Sequence, residues 1–333
     1  MLYPLLFETN LYELVWGGHR LKPLKGLPAD DQKIGESWEV SAVEDRESVV
    51  SNGELKGSKL TELVRQFGSE LLGKAVARNY DGKFPLLIKF IDAQENLSIQ
   101  VHPDDALAQQ RHQSLGKTEM WYVMDAQPGA YLYSGFNQPI SKYEYHKRIE
   151  DGSICEVLKK HEVHDGDVFF IPAGRVHAIC AGILLAEVQE SSNITYRIFD
   201  YNRLGLDGKP RQLHTQLAED AIDFTVYDNY LTPYQKRENK PVALAECSFF
   251  TTKIHHLTRT FHRKLYKYDS FVVYMCLEGD CQIECNALRG FSIMLHKGLS
   301  CLVPACVADI NLVPNNADGK TKILEVYIDN KNF

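Results

Sequence analysis

Apolar residues in this chain come mostly in short runs. From Glu119 to about Ile198, stretches of Val, Ile, Tyr and Phe are cut by glycine turns at Asp151-Gly152, Asp165-Gly166 and Ala181-Gly182. Many short strands at this spacing predict a β-sandwich or jelly roll. Phe84 to Asp92 reads as a largely buried strand interrupted by Lys89, which either sits at an edge or is a buried cation facing an anionic ligand. Gly35 to Ser41 alternates, with Trp38 and Val40 on one face, and both Trp16 and Trp38 read first as core packing. Helical spacing appears in three places. Residues 58–76 place Leu60, Leu63, Val64, Phe67, Leu71 and Leu72 on one face, ending near Gly73. A short helix is predicted over 104–113, behind Pro103, and another over 211–224, with Leu213, Leu217, Ala221 and Ile222 on one side. Tyr230 to Pro241 is polar and proline-bearing, and reads as a linker.

Beyond this linker, residues 242–333 return to short strands, and a repeat appears. Gly166, Pro172, Gly174 and His177 recur at the same spacing as Gly298, Pro304, Cys306 and Asp309. Upstream, Met120 to Met124 corresponds to Phe271 to Met275. The expectation is a mainly β chain of two duplicated jelly-roll barrels with a few helices. Its catalytic, metal-binding part spans 1–229, and a degenerate second barrel spans 242–333.

Composition adds limits. At 333 residues, 44% hydrophobic and 24% charged, the chain has an ordinary globular balance. A net charge of -7 gives no reason to expect nucleic acid or an anionic membrane as partner. None of the eight cysteines forms a Cys-x-x-Cys pair, and most lie in apolar runs as small core residues. The first residues carry no basic leader, and no apolar run approaches the roughly 18 residues of a membrane span. A reducing cytoplasm is the expected compartment.

The candidate chemistry lies in three stretches. Around Ile99 and Val101, strand alternation sets Ser98, Gln100 and His102 on the opposite, polar face. This row can help hold a metal ion if further ligands arrive from elsewhere. Glu119, in Gly116-Lys117-Thr118-Glu119, and His177, at the end of the glycine–proline turn, are the candidates. His161, His164, His255, His256 and His262 read as ordinary surface or strand histidines.

The Gly-x5-Pro-x-Gly-x2-His pattern is similar to the second motif of the cupin superfamily. Other stretches join it in order: Trp16-Gly17-Gly18, Gly35-Glu36-Ser37-Trp38-Glu39, Ser98 to Pro103, Gly116 to Glu119, and Tyr196-Arg197. Together they resemble the type I mannose-6-phosphate isomerase family in its short bacterial form. That resemblance implies one zinc ion per chain, bound by Gln100, His102, Glu119 and His177, and a catalytic Arg197. It also implies Trp16, Lys89, Ser98, Lys117 and Glu187 around a small sugar phosphate substrate, with no obligate protein partner. One departure is Ser191-Ser192-Asn193-Ile194, where many members carry Ser-Asp. Contacts made from the helical insertion of longer relatives do not carry over.

An aldose–ketose isomerase passes through an enediolate, whose charge a metal and an arginine can stabilise. Glu187 is the first candidate for the proton shuttle, with metal-bound water as the rival. Lys89 and Lys117, with the Ser98 hydroxyl, are the candidates for the phosphate. Two other function classes remain open on sequence grounds: another metal-dependent cupin enzyme, such as an iron oxygenase, and a non-catalytic sugar-binding cupin.

Overall fold

The computed structural model describes residues 1–286, 288, 290–315 and 320–329; the last residues of the expected second barrel, 330–333, lie outside them. Three strands come first, β1 (Leu5–Leu6), β2 (Leu11–Gly18) and β3 (Ile34–Val40). The first jelly roll then runs through β4 (Leu86–Ala93), β5 (Ile99–Val101), β6 (Glu119–Ala126) and β7 (Tyr131–Phe136), followed by β8 (Leu158–Glu162), β9 (Val168–Ile171), β10 (His177–Ile179) and β11 (Ile183–Glu190). Next come β12 (Tyr196–Phe199) and β13 (Val242–Glu246). The second jelly roll comprises β14 (Thr251–Leu257), β15 (Phe261–Lys264), β16 (Val272–Glu278) and β17 (Cys281–Cys285), then β18 (Ser292–Leu295), β19 (Ser300–Val303), β20 (Asp309–Pro314) and β21 (Thr321–Tyr327).

The fold is mainly β, with duplicated cupin-type jelly rolls and a few helices. The first copy is built on sheets ordered β2-β3-β4-β11-β6-β9 and β12-β5-β10-β7-β8. The second has β1-β19-β16-β21-β14-β13 and β15-β20-β17-β18. Stripped of flanking strands, β4-β11-β6-β9 and β5-β10-β7-β8 recur strand for strand as β14-β21-β16-β19 and β15-β20-β17-β18. The chain forms two compact units: Leu11–Ser37 with Lys89–Thr232, and Met1–Asn10 with Trp38–Ile88 and Pro233–Phe333. The crossing at Thr232 falls inside the polar stretch 230–241.

In the first copy, alternation decides what each strand residue does. The inner faces of both sheets supply one apolar cluster, including Ile91, Trp121, Val123, Leu132, Phe169, Ile179 and Leu185. The outer face of the five-stranded sheet supplies another, in which Ile99, Val101, Ala178 and Tyr196 pack with Tyr145 and Ala218. Tyr145 and Ala218 come from helices Lys142–Glu150 and Thr215–Ala221. Burying Ile99 and Val101 under these helices fixes the register of β5 and turns Gln100 to the other side. Trp16 and Trp38 are both buried, as core packing requires.

The helices depart from the sequence expectation in three places. The 58–76 helix is three pieces, Leu60–Phe67, Ser69–Leu72 and Lys74–Asn79, broken at Gly68 and Gly73, which take φ of 48° and 91°. The 211–224 helix begins only at Thr215, because the backbone N–H of His214 is held by the Arg197 carbonyl and the Arg211 side chain by Asp200. Helix Lys142–Glu150 arises inside a stretch that reads as all β; Ser141 caps it by accepting from the Glu144 N–H. Residues 104–113 form the expected helix as Asp105–His112, with Asp104 as its N-cap. Among the described residues, no helix is long and apolar enough to cross a membrane.

Candidate metal centre

The three stretches singled out by alternation and spacing converge. On the β5–β10 ladder His177 lies directly opposite Gln100. His102 follows the end of β5, where its carbonyl accepts the Gly174 N–H at 2.9 Å. Gly174 has φ of 84°, a conformation side-chain-bearing residues rarely adopt, so the turn that delivers His177 also clamps the backbone of His102. Glu119 opens β6 opposite Gln189. The ligand atoms of His102, Glu119 and His177 all lie within 4.8 Å of one another, and all three residues are buried.

Hydrogen bonding fixes the state of both imidazoles. His102 Nδ1 lies 3.0 Å from the Ile194 carbonyl, and His177 Nδ1 lies 2.7 Å from that of Arg175. A carbonyl oxygen only accepts, so each Nδ1 carries the hydrogen and each neutral ring turns a bare Nε2 inward. Burial pushes the His102 pKa down to about 3, with Lys117 adding to the effect. Burial likewise lowers that of His177. Burial works against ionisation of Glu119, but the Lys117 ammonium outweighs it and holds the carboxyl well below its ordinary value.

The cluster passes a direct test for a cation. His102 Nε2 and Glu119 Oε2 are buried without a hydrogen-bond partner, while Glu119 Oε1 is held by the Lys117 ammonium. His102 Nε2 stands 3.3 Å from one Glu119 oxygen, and His177 Nε2 stands 3.6 Å from the other. Leaving one carboxylate oxygen and an imidazole lone pair unsatisfied costs on the order of 1–3 kcal/mol each, a cost that a divalent ion would offset. Gln100 places its amide Nε2 3.3 Å from His177 Nε2, and a half-turn of that amide presents Oε1 instead. Two imidazoles, one carboxylate and one amide make a nitrogen–oxygen donor set of the kind zinc and its neighbours take.

A second group adjoins it. Lys117 Nζ is 3.0 Å from Glu119 Oε1. Lys89 is a buried cation, with Nζ 3.2 Å from Glu187 Oε1 and 3.9 Å from Glu36 Oε2. Trp121 donates its indole N–H to Glu187 Oε2 at 2.9 Å. Burial would lower the Lys89 pKa, but Glu36, Glu187 and Glu119 outweigh it and keep the ammonium charged. Burial and the Glu119 charge push the Glu187 pKa up, against the pull of Lys89. Ser98 is buried on the Gln100 face, its hydroxyl 3.5 Å from Gln100 Oε1. The cluster therefore sets a carboxyl held well below its ordinary pKa beside one raised above it.

Two expected residues sit apart from this cluster's hydrogen bonds. Trp16 packs in the inner apolar cluster that also contains Trp121. Arg197 stands opposite Gln100 on the β12–β5 ladder, but its Nη1 donates to the Gln212 carbonyl at 2.8 Å. Its Nε is buried without a hydrogen-bond partner. Sequence reasoning gave no role to Glu36 or Trp121. Trp121 was within reach, since it lies two positions beyond Glu119 and so faces the same interior.

Known proteins resemble the chain along most of its length. A family model for the catalytic domain of type I phosphomannose isomerase matches residues 6–131. Mannose-6-phosphate isomerase ManA of Bacillus subtilis is 35% identical over 83% of this chain and 86% of its own length. Mannose-6-phosphate isomerase of Streptococcus mutans is 39% identical over 67% of this chain and 68% of its own. The crystal structure of the mannose 6-phosphate isomerase from Bacillus subtilis superposes with a TM-score of 0.86 at 28% identity, covering 98% of this chain and 100% of that one. Sequence likeness over most of both chains, fold and the buried His-Glu-His centre agree, and the chain belongs to the type I phosphomannose isomerases.

Proposed function

We propose that the chain interconverts mannose 6-phosphate and fructose 6-phosphate through an enediolate, with one zinc ion held by Gln100, His102, Glu119 and His177. The observation that carries this reading is the buried convergence of His102, Glu119 and His177, with His102 Nε2 and Glu119 Oε2 lacking hydrogen-bond partners, beside a carboxyl whose pKa is raised. Bound zinc supplies a Lewis acid that polarises the sugar carbonyl.

The chain's own groups do the rest. Glu187 takes the proton from C2 of the aldose and returns one to C1, while a hydroxyl proton passes between the two oxygens. Burial and the Glu119 charge raise its pKa, which favours its taking a proton from carbon as base and giving one back as acid. Lys89 keeps its charge and holds one oxygen of Glu187 in place. Lys89 and Lys117 supply the positive charge that the phosphate needs, and Ser98 adds a hydroxyl donor. Arg197 meets the enediolate oxygens with its guanidinium, a role that requires it to leave the Gln212 carbonyl when substrate enters. Trp16 contributes apolar wall near the substrate.

Residues 1–229 carry this machinery in our reading, and the second copy, 242–333, is structural. Among the described residues the His-Glu-His group is the one such cluster. Lys264 stands opposite Asp309 where Gln100 stands opposite His177, and Val272 stands opposite Val303 where Glu119 stands opposite Ile171. All eight cysteines are free thiols, which suits a reducing cytoplasm.

The test is a coupled assay for fructose 6-phosphate formed from mannose 6-phosphate. Wild type should turn over, and Glu187→Gln should lose on the order of 10²–10⁴ in kcat while keeping its metal. A flat wild-type trace with the sugar phosphate bound would mean a binding protein instead.

A further inference from the structure

Resting on the reading of Glu187 as proton carrier, we propose that Trp121 is a positioning residue for the reaction. Its indole N–H holds Glu187 facing the substrate carbons, through a cross-ladder pair that the second jelly roll builds with different chemistry.

The ladders establish the equivalence. In the first copy Glu119 lies opposite Ile171, and Trp121 opposite Glu187. In the second copy Val272 lies opposite Val303, and Tyr274 opposite Glu325. Ile171 and Val303 immediately precede the matching prolines Pro172 and Pro304. Glu119 and Val272 therefore occupy one place in the fold, Trp121 and Tyr274 another, and Glu187 and Glu325 a third. This register shifts the sequence correspondence of Met120–Met124 with Phe271–Met275 by two residues, which leaves the inward face unchanged.

At this shared place the two copies make the same bond. Trp121 Nε1 donates to Glu187 Oε2 at 2.9 Å, and Tyr274 Oη donates to Glu325 Oε2 at 2.9 Å. In each case a cation reaches the other oxygen, Lys89 at 3.2 Å on Glu187 and Arg263 at 2.5 Å on Glu325, where the guanidinium also grips the shared oxygen through Nε at 2.8 Å. The donor is an indole N–H in one copy and a phenol O–H in the other. The bond is thus common to the two copies although the donor group is not, and although Val272 replaces Glu119 and Asp309 replaces His177.

The consequence for the active copy is orientation. A carboxylate offers about four lone-pair directions, of which Trp121 and Lys89 take one on each oxygen. The remaining pair is left for the substrate proton. Without the indole donor, Glu187 is tethered only by the ammonium of Lys89 and can pivot about that contact. A displacement of about 1 Å in a reacting group costs on the order of 10²-fold in rate.

The second copy also supplies the control, because Phe and Tyr differ by the hydroxyl that Tyr274 uses. Trp121→Phe and Trp121→Tyr are made in the full-length, zinc-loaded chain. Turnover, KM, zinc content, thermal midpoint and solvent-deuterium exchange into recovered mannose 6-phosphate are measured. Trp121→Phe should lower kcat and the exchange rate together by on the order of 10–10²-fold, with KM and zinc content matching Trp121→Tyr. Trp121→Tyr should recover at least half of that loss on a logarithmic scale. Equal kcat in the two variants would overturn the proposal and leave Trp121 as packing. Should both substitutions prevent folding, the bond is read in proteins that keep Trp121. One of the three indole N–H proton resonances of wild type should move upfield in Glu187→Gln, and three unmoved resonances would overturn it. An active Glu187→Gln would instead sink the assignment of Glu187 on which this rests.

Discussion

The clearest energetic forecast concerns the second jelly roll, where Glu325 sits fully buried. It accepts from Arg263 Nε at 2.8 Å, Arg263 Nη2 at 2.5 Å, Tyr274 Oη at 2.9 Å and Tyr268 Oη at 3.2 Å. His255 Nε2, also buried, lies 3.3 Å from it. Glu325→Gln keeps the shape but removes the charge, and it turns an amide N–H₂ towards donors that need an acceptor. The Arg263 guanidinium, 13% exposed, is left without its counter-charge. Breaking one side of a buried ion pair typically costs about 3–5 kcal/mol. For a unit of this size that is roughly a 6–20 °C drop in the midpoint of its transition. Calorimetry or circular dichroism on the full chain reads it, with turnover per folded molecule within about twofold of wild type. The double variant Arg263→Met with Glu325→Leu should recover part of the loss, since it removes both charges but leaves the Tyr274 and Tyr268 hydroxyls without their acceptor. A single-variant cost below about 1 kcal/mol, or a double variant no better than the single one, would refute the reasoning.

Arg197→Ala should bind zinc normally and lose at least about a hundredfold in kcat, with KM little changed. Arg197→Lys should recover only part, because a point charge does not copy the guanidinium fork; a many-fold rise in KM at constant kcat would make Arg197 a phosphate clamp. Stability should also fall in acid. His255 and Arg263 outweigh the burial that opposes ionisation and hold the Glu325 pKa well below its unfolded value of about 4.3. A depressed pKa stabilises the fold above the unfolded value and is lost as pH falls towards the folded one, so the melting gap between wild type and Glu325→Gln should narrow from pH 6 to pH 3. A gap that stays constant contradicts this.

Much of the site was legible because two short-range rules determine it. Alternation alone puts Ser98, Gln100 and His102 on one face, and the glycine–proline turn fixes where His177 enters. Lys89, a charge inside an apolar run, read equally as an edge lysine or a buried cation; it is buried, and its partners Glu187 and Glu36 lie on the neighbouring strands β11 and β3, pairings that leave no local trace. Glu325 was invisible for the same reason, since a lone acid between Leu324 and Val326 gives no sign of Arg263 or Tyr274. His255, read as an ordinary strand histidine, proves to be fully buried beside it. The strand β1 pairs with β19 across most of the chain, and no local pattern announces such a partner. Helix Lys142–Glu150 was missed because it buries little beyond Tyr145, so its capping serine spoke more clearly than its periodicity.

The most direct test of the metal-dependent account is metal content per chain, measured by elemental analysis alongside turnover as a chelator is titrated in. The account predicts about one zinc per chain, with activity and metal falling together and returning together when zinc is restored. It also predicts that His102→Ala and His177→Ala arrive without metal and inactive. Two metals per chain, or isomerase activity that persists after the metal is gone, would contradict it.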